Sequence, residues 1–211
     1  MKKVKFIVFI CLFILLPLAY FNGFIRISDL TSEQESIAKK YGGVYVFDEK
    51  LEKEIDKREE ERDKYLDDFF KNNNRDFDLN DQAIMNEKLP RALSNGKRYY
   101  LRWIDYENET GKEVKIPSDY VEKIINYIGK ENLEKYTPNL SMSYFYIDGD
   151  KVVPIRTSAS YLYRIKTFTL YGDEASGIKF IKDDIGLAKG GNRFEFINNK
   201  FQKVSNKDKD K

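Results

Sequence analysis

Ser141–Tyr171, SMSYFYIDGDKVVPIRTSASYLYRIKTFTLY, is the stretch that decides the fold. Met142–Ile147 is dense in aromatic and aliphatic residues, and Lys151–Val153 resumes after Asp148-Gly149-Asp150, the turn chemistry of a β-hairpin. Tyr161–Tyr171 is the longest strand candidate. Its alternation puts Tyr161, Tyr163 and Ile165 on one face and Leu162, Phe168 and Leu170 on the other. Downstream, Gly172-Asp173 and Ser176-Gly177 mark turns before a strand at Ile178–Ile181. Arg193–Ile197 and Lys200–Val204 pair across Asn198-Asn199. Residues 205–211 end in alternating Lys and Asp and are expected to be disordered.

Upstream of this stretch the pattern turns helical. Ser32 and Glu35 have the spacing of a capping box, Gly42-Gly43 supplies a stop, and Val44–Phe47 reads as a short strand. Asp48 opens a long helix to about Lys71, with Leu51, Ile55, Leu66, Phe69 and Phe70 on one stripe interrupted by Arg58 and Arg62. That segment is strongly acidic and reads as a solvated helix. A shorter helix starts near Asn80 or Asp81 and reaches Lys88. Arg98–Ile104 and Glu113–Ile116 read as strands. Pro117-Ser118-Asp119 then opens a helix with Val121, Ile124, Ile125 and Ile128 on its apolar face. Helices first and hairpin-linked strands afterwards predict an α+β fold with a mostly antiparallel sheet.

At the amino terminus Lys2, Lys3 and Lys5 precede sixteen residues without a charge or an amide, Phe6–Phe21. Extended to Ile25 the segment has membrane-spanning length, so residues 6–25 are read as an N-terminal transmembrane helix with the amino terminus in the cytoplasm. Ala19-Tyr20-Phe21 makes a poor cleavage site, which favours a retained anchor over a signal peptide. The expected division is an anchor or signal peptide at 1–25, a linker with short helix and strand at 26–47, an extracytoplasmic α+β domain at 48–204 and a tail at 205–211. The location this implies is a bacterial inner membrane with the domain outside, or the periplasm or exterior if the segment is cleaved.

Composition closes several routes. The chain has no histidine, and its one cysteine, Cys11, lies in the apolar segment. His-based acid–base and nucleophile chemistry are therefore excluded, as are disulfides in the exported part. Lys+Arg 37 against Asp+Glu 35 leaves no basic footprint for nucleic acid. No cofactor is called for.

Two constellations stand out as candidate sites. Tyr144, Tyr146, Tyr161, Tyr163 and Tyr171 recur at period two on neighbouring strands, and tyrosine suits a protein interface. Asp76, Asp78, Asn80 and Glu87 have the oxygen-ligand spacing of an EF-hand calcium loop, which the twelve residues from Asp76 resemble. Asp81 stands where that loop has glycine and Ala83 where it has a branched aliphatic; capping of the following helix is the competing explanation. The S-x-x-K pairs Ser36/Lys39, Ser94/Lys97 and Ser176/Lys179 lack companion motifs, and Asp148/Asp150 fit a turn better than an acid–base pair. The expectation is a membrane-tethered, non-enzymatic protein-binding domain of immunity or inhibitor type, or an envelope-complex subunit. The alternative is an envelope hydrolase using carboxylates on a cell-wall or glycan substrate.

Overall fold

The computed structural model describes residues 2–15, 17–18, 22–172, 174–175 and 177–204. The tail at 205–211 and the cleavage candidate at residues 19–21 lie outside them. The fold is α+β with an eight-stranded, mostly antiparallel sheet. Strands β2 (Gly43–Val46), β3 (Tyr99–Arg102), β4 (Asn139–Asp148), β5 (Lys151–Tyr171), β7 (Asn192–Ile197) and β8 (Lys200–Val204) form its path in the order β3-β4-β5-β2-β7-β8. β1 (Asn22–Ser28) and β6 (Lys179–Ala188) both pair with β5.

Everything is organised on β5. It is one strand of 21 residues where the sequence predicts two pieces. Its first half pairs with β4 and β2, and its second half, from Tyr161, pairs with β6 and β1. At roughly 3.3 Å per residue it reaches well past the body of the sheet, and the result is a three-stranded arm, β1-β5-β6. Pairing along this arm extends β6 to Ala188, far beyond the expected Ile181.

Before the sheet, helix α1 covers Lys2–Ile10 and Cys11–Leu15 continue as a π-helical stretch. Among the described residues no helix is long and apolar enough to cross a membrane. Residues 22–25, read from sequence as the end of the anchor, belong instead to β1, where Ile25 pairs with Phe168. Pairing of Asn22 with Thr169 and of Ile25 with Phe168 fixes the two ends of this stretch on β5, with a register irregularity between them.

Helix α2 (Ser32–Tyr41) is capped one residue before the expected Ser32: Thr31 accepts from the Gln34 N–H at 3.0 Å, and Glu35 pairs with Lys39 instead of closing a box. Asp48 caps α3 (Glu49–Asn72) through the Leu51 N–H at 3.0 Å. The expected strand at 98–104 is cut short. Arg102 binds Asp105 across the first turn of α5 (Trp103–Thr110), and Gly111 ends that helix in the left-handed conformation. Glu113–Ile116 form no strand, since the Val114 N–H donates to the Glu107 carboxylate at 3.0 Å and Val114 buries into the core.

α3 lies on one sheet face, and α6 (Ser118–Ile128), α7 (Lys130–Lys135) and α2 lie on the other. Tyr45, Phe194, Phe201 and Ala159 pack with Ile124 and Ile128 of α6. Tyr45 stacks on Phe194 at 4.6 Å and meets Phe201 edge-on at 5.0 Å, contacts worth about 0.5–1.5 kcal/mol each beyond area burial. On the opposite face Ile55 of α3 packs with Leu93, Tyr99 and Ile155. The β7–β8 hairpin turns through Asn198 and Asn199, both at positive φ, as a two-residue hairpin of primed type needs.

Candidate functional site

Alternation along β5 puts Arg156, Ser158, Ser160, Leu162, Arg164 and Lys166 on one face. α3 covers the start of that row and leaves the rest open. Between them lies a cleft of about 820 Å³ whose walls include Glu52, Asp56, Ser141, Arg156, Ser158, Lys189 and Arg193. Glu52 of α3 is 1 % exposed and holds the cleft together. Its carboxylate accepts from Arg193 Nη1 at 3.1 Å and from Nη2, and Arg156 Nη1 stands 3.6 Å away. Arg193 also donates through Nε to Glu195 at 2.8 Å. The Glu52 hydrogen bond pushes the Arg193 guanidinium pKa above its ordinary value.

The cleft's two carboxylates are thus engaged. Glu52 is neutralised by arginine, and Asp56 accepts from the Tyr144 hydroxyl at 2.8 Å. Asp148 sits at the β4–β5 turn paired with Lys97 at 2.8 Å. Of the serine–lysine pairs, Ser94 donates to Glu54 and Lys39 pairs with Glu35; Ser176 lies outside the described residues. No acid–base pair is assembled from these groups.

Past the cleft the same face of the arm carries isoleucine, leucine and phenylalanine around a charged middle of Arg164, Lys166 and Asp183. Leu162 pairs with Leu187 and Arg164 with Ile185; Phe168 lies between Ile25 and Ile181, and Lys166 between Ile27 and Asp183. Ile25, Ile27, Leu162, Ile181, Ile185 and Leu187 are 37–71 % exposed. The other face of the arm is covered at its base, where Tyr161 packs with Ile37 and Ala38 of α2 and with Ala188. The arm therefore has one side covered at its base and one open side, and the open side exposes a row of large apolar side chains.

The five tyrosines do not share this face. Tyr161 is fully buried, and burial pushes its hydroxyl pKa up to about 12. Tyr144 and Tyr146 pack beneath α3 with the Ile55 cluster, and the Arg156 guanidinium lies 3.5 Å from the Tyr144 ring centre. Burial, aided by the Asp56 hydrogen bond and opposed by Arg156, raises the Tyr144 pKa to about 12. Tyr163 lies against Gly186, where an added Cβ would fall 2.2 Å from the ring. Only Tyr171 is well exposed, its hydroxyl donating to the Ile181 carbonyl at 3.0 Å. Period-two spacing put all five on strands, but the helices cover these positions unevenly.

The calcium-loop residues take up helix-capping work. Asp78 is the N-cap of α4 (Leu79–Lys88), accepting from the N–H groups of Asn80 and Asp81, and Asp81 accepts in return from the Asp78 N–H. Asn80 and Glu87 lie seven residues apart on that helix, about 10 Å along its axis. Asp76 offers its carbonyl to Arg75. Among the described residues no group of three or more His, Cys, Asp or Glu is placed to hold a metal ion.

This cap carries a pH signature. Hydrogen bonds from Arg75 and from the Asp78 N–H lower the Asp81 pKa from 3.8 to about 2. For Glu59, burial raises the pKa, but hydrogen bonds from Arg91 and the Tyr99 hydroxyl outweigh it and lower the value from 4.5. Carboxyls depressed on folding stabilise the fold above their unfolded values, and that stability is lost as pH falls toward the folded ones. Melting temperature should therefore fall from about pH 4.5 to about pH 2. An Asp81→Asn variant should start lower at neutral pH and converge with the native chain near pH 2. Parallel curves down to that pH would contradict the assignment.

Sequence reasoning missed the Glu52–Arg193 pair. A signal was present: Glu52, Ile55 and Arg62 fall at intervals of three and seven on one side of α3, and all three are buried. Arg62 donates to the Leu89 carbonyl and to Asn86, tying α3 to α4. No family model, no curated protein and no solved structure matches this chain.

Proposed function

We propose that this is a membrane-tethered, non-enzymatic protein whose domain lies outside the cytoplasm of a bacterial cell and binds another polypeptide. An immunity or inhibitor protein, or a subunit of an envelope complex, has these properties. The observation that carries the binding role is the row of exposed apolar side chains on the open face of the arm, Ile27, Leu162, Ile185 and Leu187, beside a polar cleft whose carboxylates are already engaged. Tethering rests on the lysine-rich start and the apolar run that follows it. With β1 beginning at Asn22, the apolar run left for a span is sixteen residues, Phe6–Phe21. A span this short is accommodated by local bilayer thinning.

A photo-crosslinking amino acid at Leu187 or Ile185, in the full chain in native membranes, tests the reading. A discrete protein adduct should form at both positions and not at Lys57 on the exposed side of α3. In a chain carrying the crosslinker at Leu187, Ile185→Asp should cut adduct yield about tenfold, the scale of a lost interface anchor. Its stability should change by no more than about 0.5 kcal/mol, since Ile185 is exposed. Equal labelling at Lys57 and Leu187 would refute the interface.

A further inference from the structure

We propose that the free end of the arm, at Leu170, Tyr171 and Ile178, seats in the headgroup region of the bilayer leaflet from which the amino-terminal segment emerges. This rests on the membrane-tether reading. The argument is one of chain connectivity. β1 starts at Asn22, whose Cα partner is Thr169, next to Leu170. Only residues 19–21 separate Asn22 from Leu18, the last described residue of the apolar run, and four Cα–Cα steps span at most about 14 Å. Wherever the run leaves the membrane, the end of β5 must be close by.

Direction matters as much as distance. β1 runs away from Asn22 and reaches Ser28 opposite Ile165, so the body of the domain lies at the other end of the arm. The end of the arm is accordingly the part of the described domain that meets the bilayer first. Its residues suit that place: Ile178 is 71 % exposed, Leu170 52 % and Tyr171 37 %, with Lys179 paired to Tyr171. Apolar side chains, an aromatic ring and a lysine are the composition of an interfacial anchor, and lysine there meets anionic headgroups. Glu174 in the same turn sets the depth, because its charge stays at headgroup level rather than entering hydrocarbon. Standing on this end, the arm leaves its open face accessible to a protein partner.

Trp103 is the only tryptophan and lies in α5, so Trp103→Phe gives a silent background. Ile178→Trp in the full chain would be reconstituted in nanodiscs of phosphatidylcholine and phosphatidylglycerol, with and without brominated acyl chains. Bromination should reduce its fluorescence about twofold, as for a residue at the headgroup–acyl boundary, and should leave a Leu79→Trp control on α4 unchanged. Phe13→Trp reports the tether separately. Quenching at Phe13→Trp without quenching at Ile178→Trp would overturn this inference and leave the tether standing. Quenching at neither would remove both. A blue shift of Ile178→Trp without quenching would place a protein, such as a second copy, on the tip and would equally overturn it.

Discussion

Glu52→Ala should destabilise the folded chain by about 3–5 kcal/mol, the cost of leaving a buried partner charge uncompensated. The carboxylate is 1 % exposed and takes two donors from Arg193. Arg193 sits in β7 with its side chain 13 % exposed, so water from the cleft compensates only part of the lost charged acceptor. Glu195 still accepts its Nε, which leaves the two terminal nitrogens that faced Glu52 without that partner. Arg156, 3.6 Å from the same carboxylate, loses its counter-ion in the same step. For a chain of this size the loss corresponds to a melting-temperature drop of about 6–20 °C. Thermal denaturation of the single variants and of Glu52→Met/Arg193→Met checks it. The double variant should recover a substantial part of the loss, because the pair's value lies in mutual neutralisation rather than net attraction. A Glu52→Ala cost under about 1 kcal/mol would mean that the pair behaves like an exposed salt bridge.

The elements legible in the sequence are those whose signals are local. Asp148-Gly149-Asp150 and Asn198-Asn199 announce their hairpins because the residues that make the turn also sit in it. Ile124 and Ile128 announce a buried helix face because a 3.6-residue period needs no partner to be seen. β2 is the opposite case. Four residues, Gly43–Val46, sit centrally between β5 and β7, antiparallel to one and parallel to the other. Nothing in GVYV specifies a parallel neighbour some 150 residues away.

The candidate site was illegible for the same reason. The alternation of Tyr161–Tyr171 is visible, and the pairing follows it from Tyr161 to Phe168, beyond which the register shifts. Which face is covered depends on α2 reaching Tyr161, and which stays open depends on β1 and β6 joining β5 at its far end. The tyrosines drew attention because their spacing is regular; the open surface is built from isoleucine and leucine contributed by three separate segments. Ile25 shows the limit most plainly. Hydropathy groups it with the anchor, while ladder pairing with Phe168 places it in the arm.

The central position of β2 makes Gly43→Ala the other substitution with a large expected effect. Gly43 is flanked by Ala159 of β5 and Asn192 of β7, and its φ of +148° is one that L residues rarely adopt. A Cβ there would stand 2.1 Å from the Asn192 carbonyl oxygen, a backbone atom that cannot rotate away. Relief requires β7 to separate from β2, which would take the β7–β8 hairpin, and with it Phe194 and Phe201, off the core formed with Tyr45. Strain and lost packing together should exceed about 4 kcal/mol, in the range reserved for disrupted backbone and core. Gly96→Ala is the matched control: φ is +77° and nothing lies within 4 Å of the added carbon, so only the left-handed backbone penalty of about 1–2 kcal/mol applies. Amide hydrogen exchange distinguishes local from general damage. In Gly43→Ala, protection should fall first at Arg193–Ile197 and Lys200–Val204, while the β4–β5 ladder keeps its protection until global unfolding. Comparable stabilities for the two glycine variants would show that β7 accommodates the side chain and that the tight approach of β2 to β7 is not essential to the sheet.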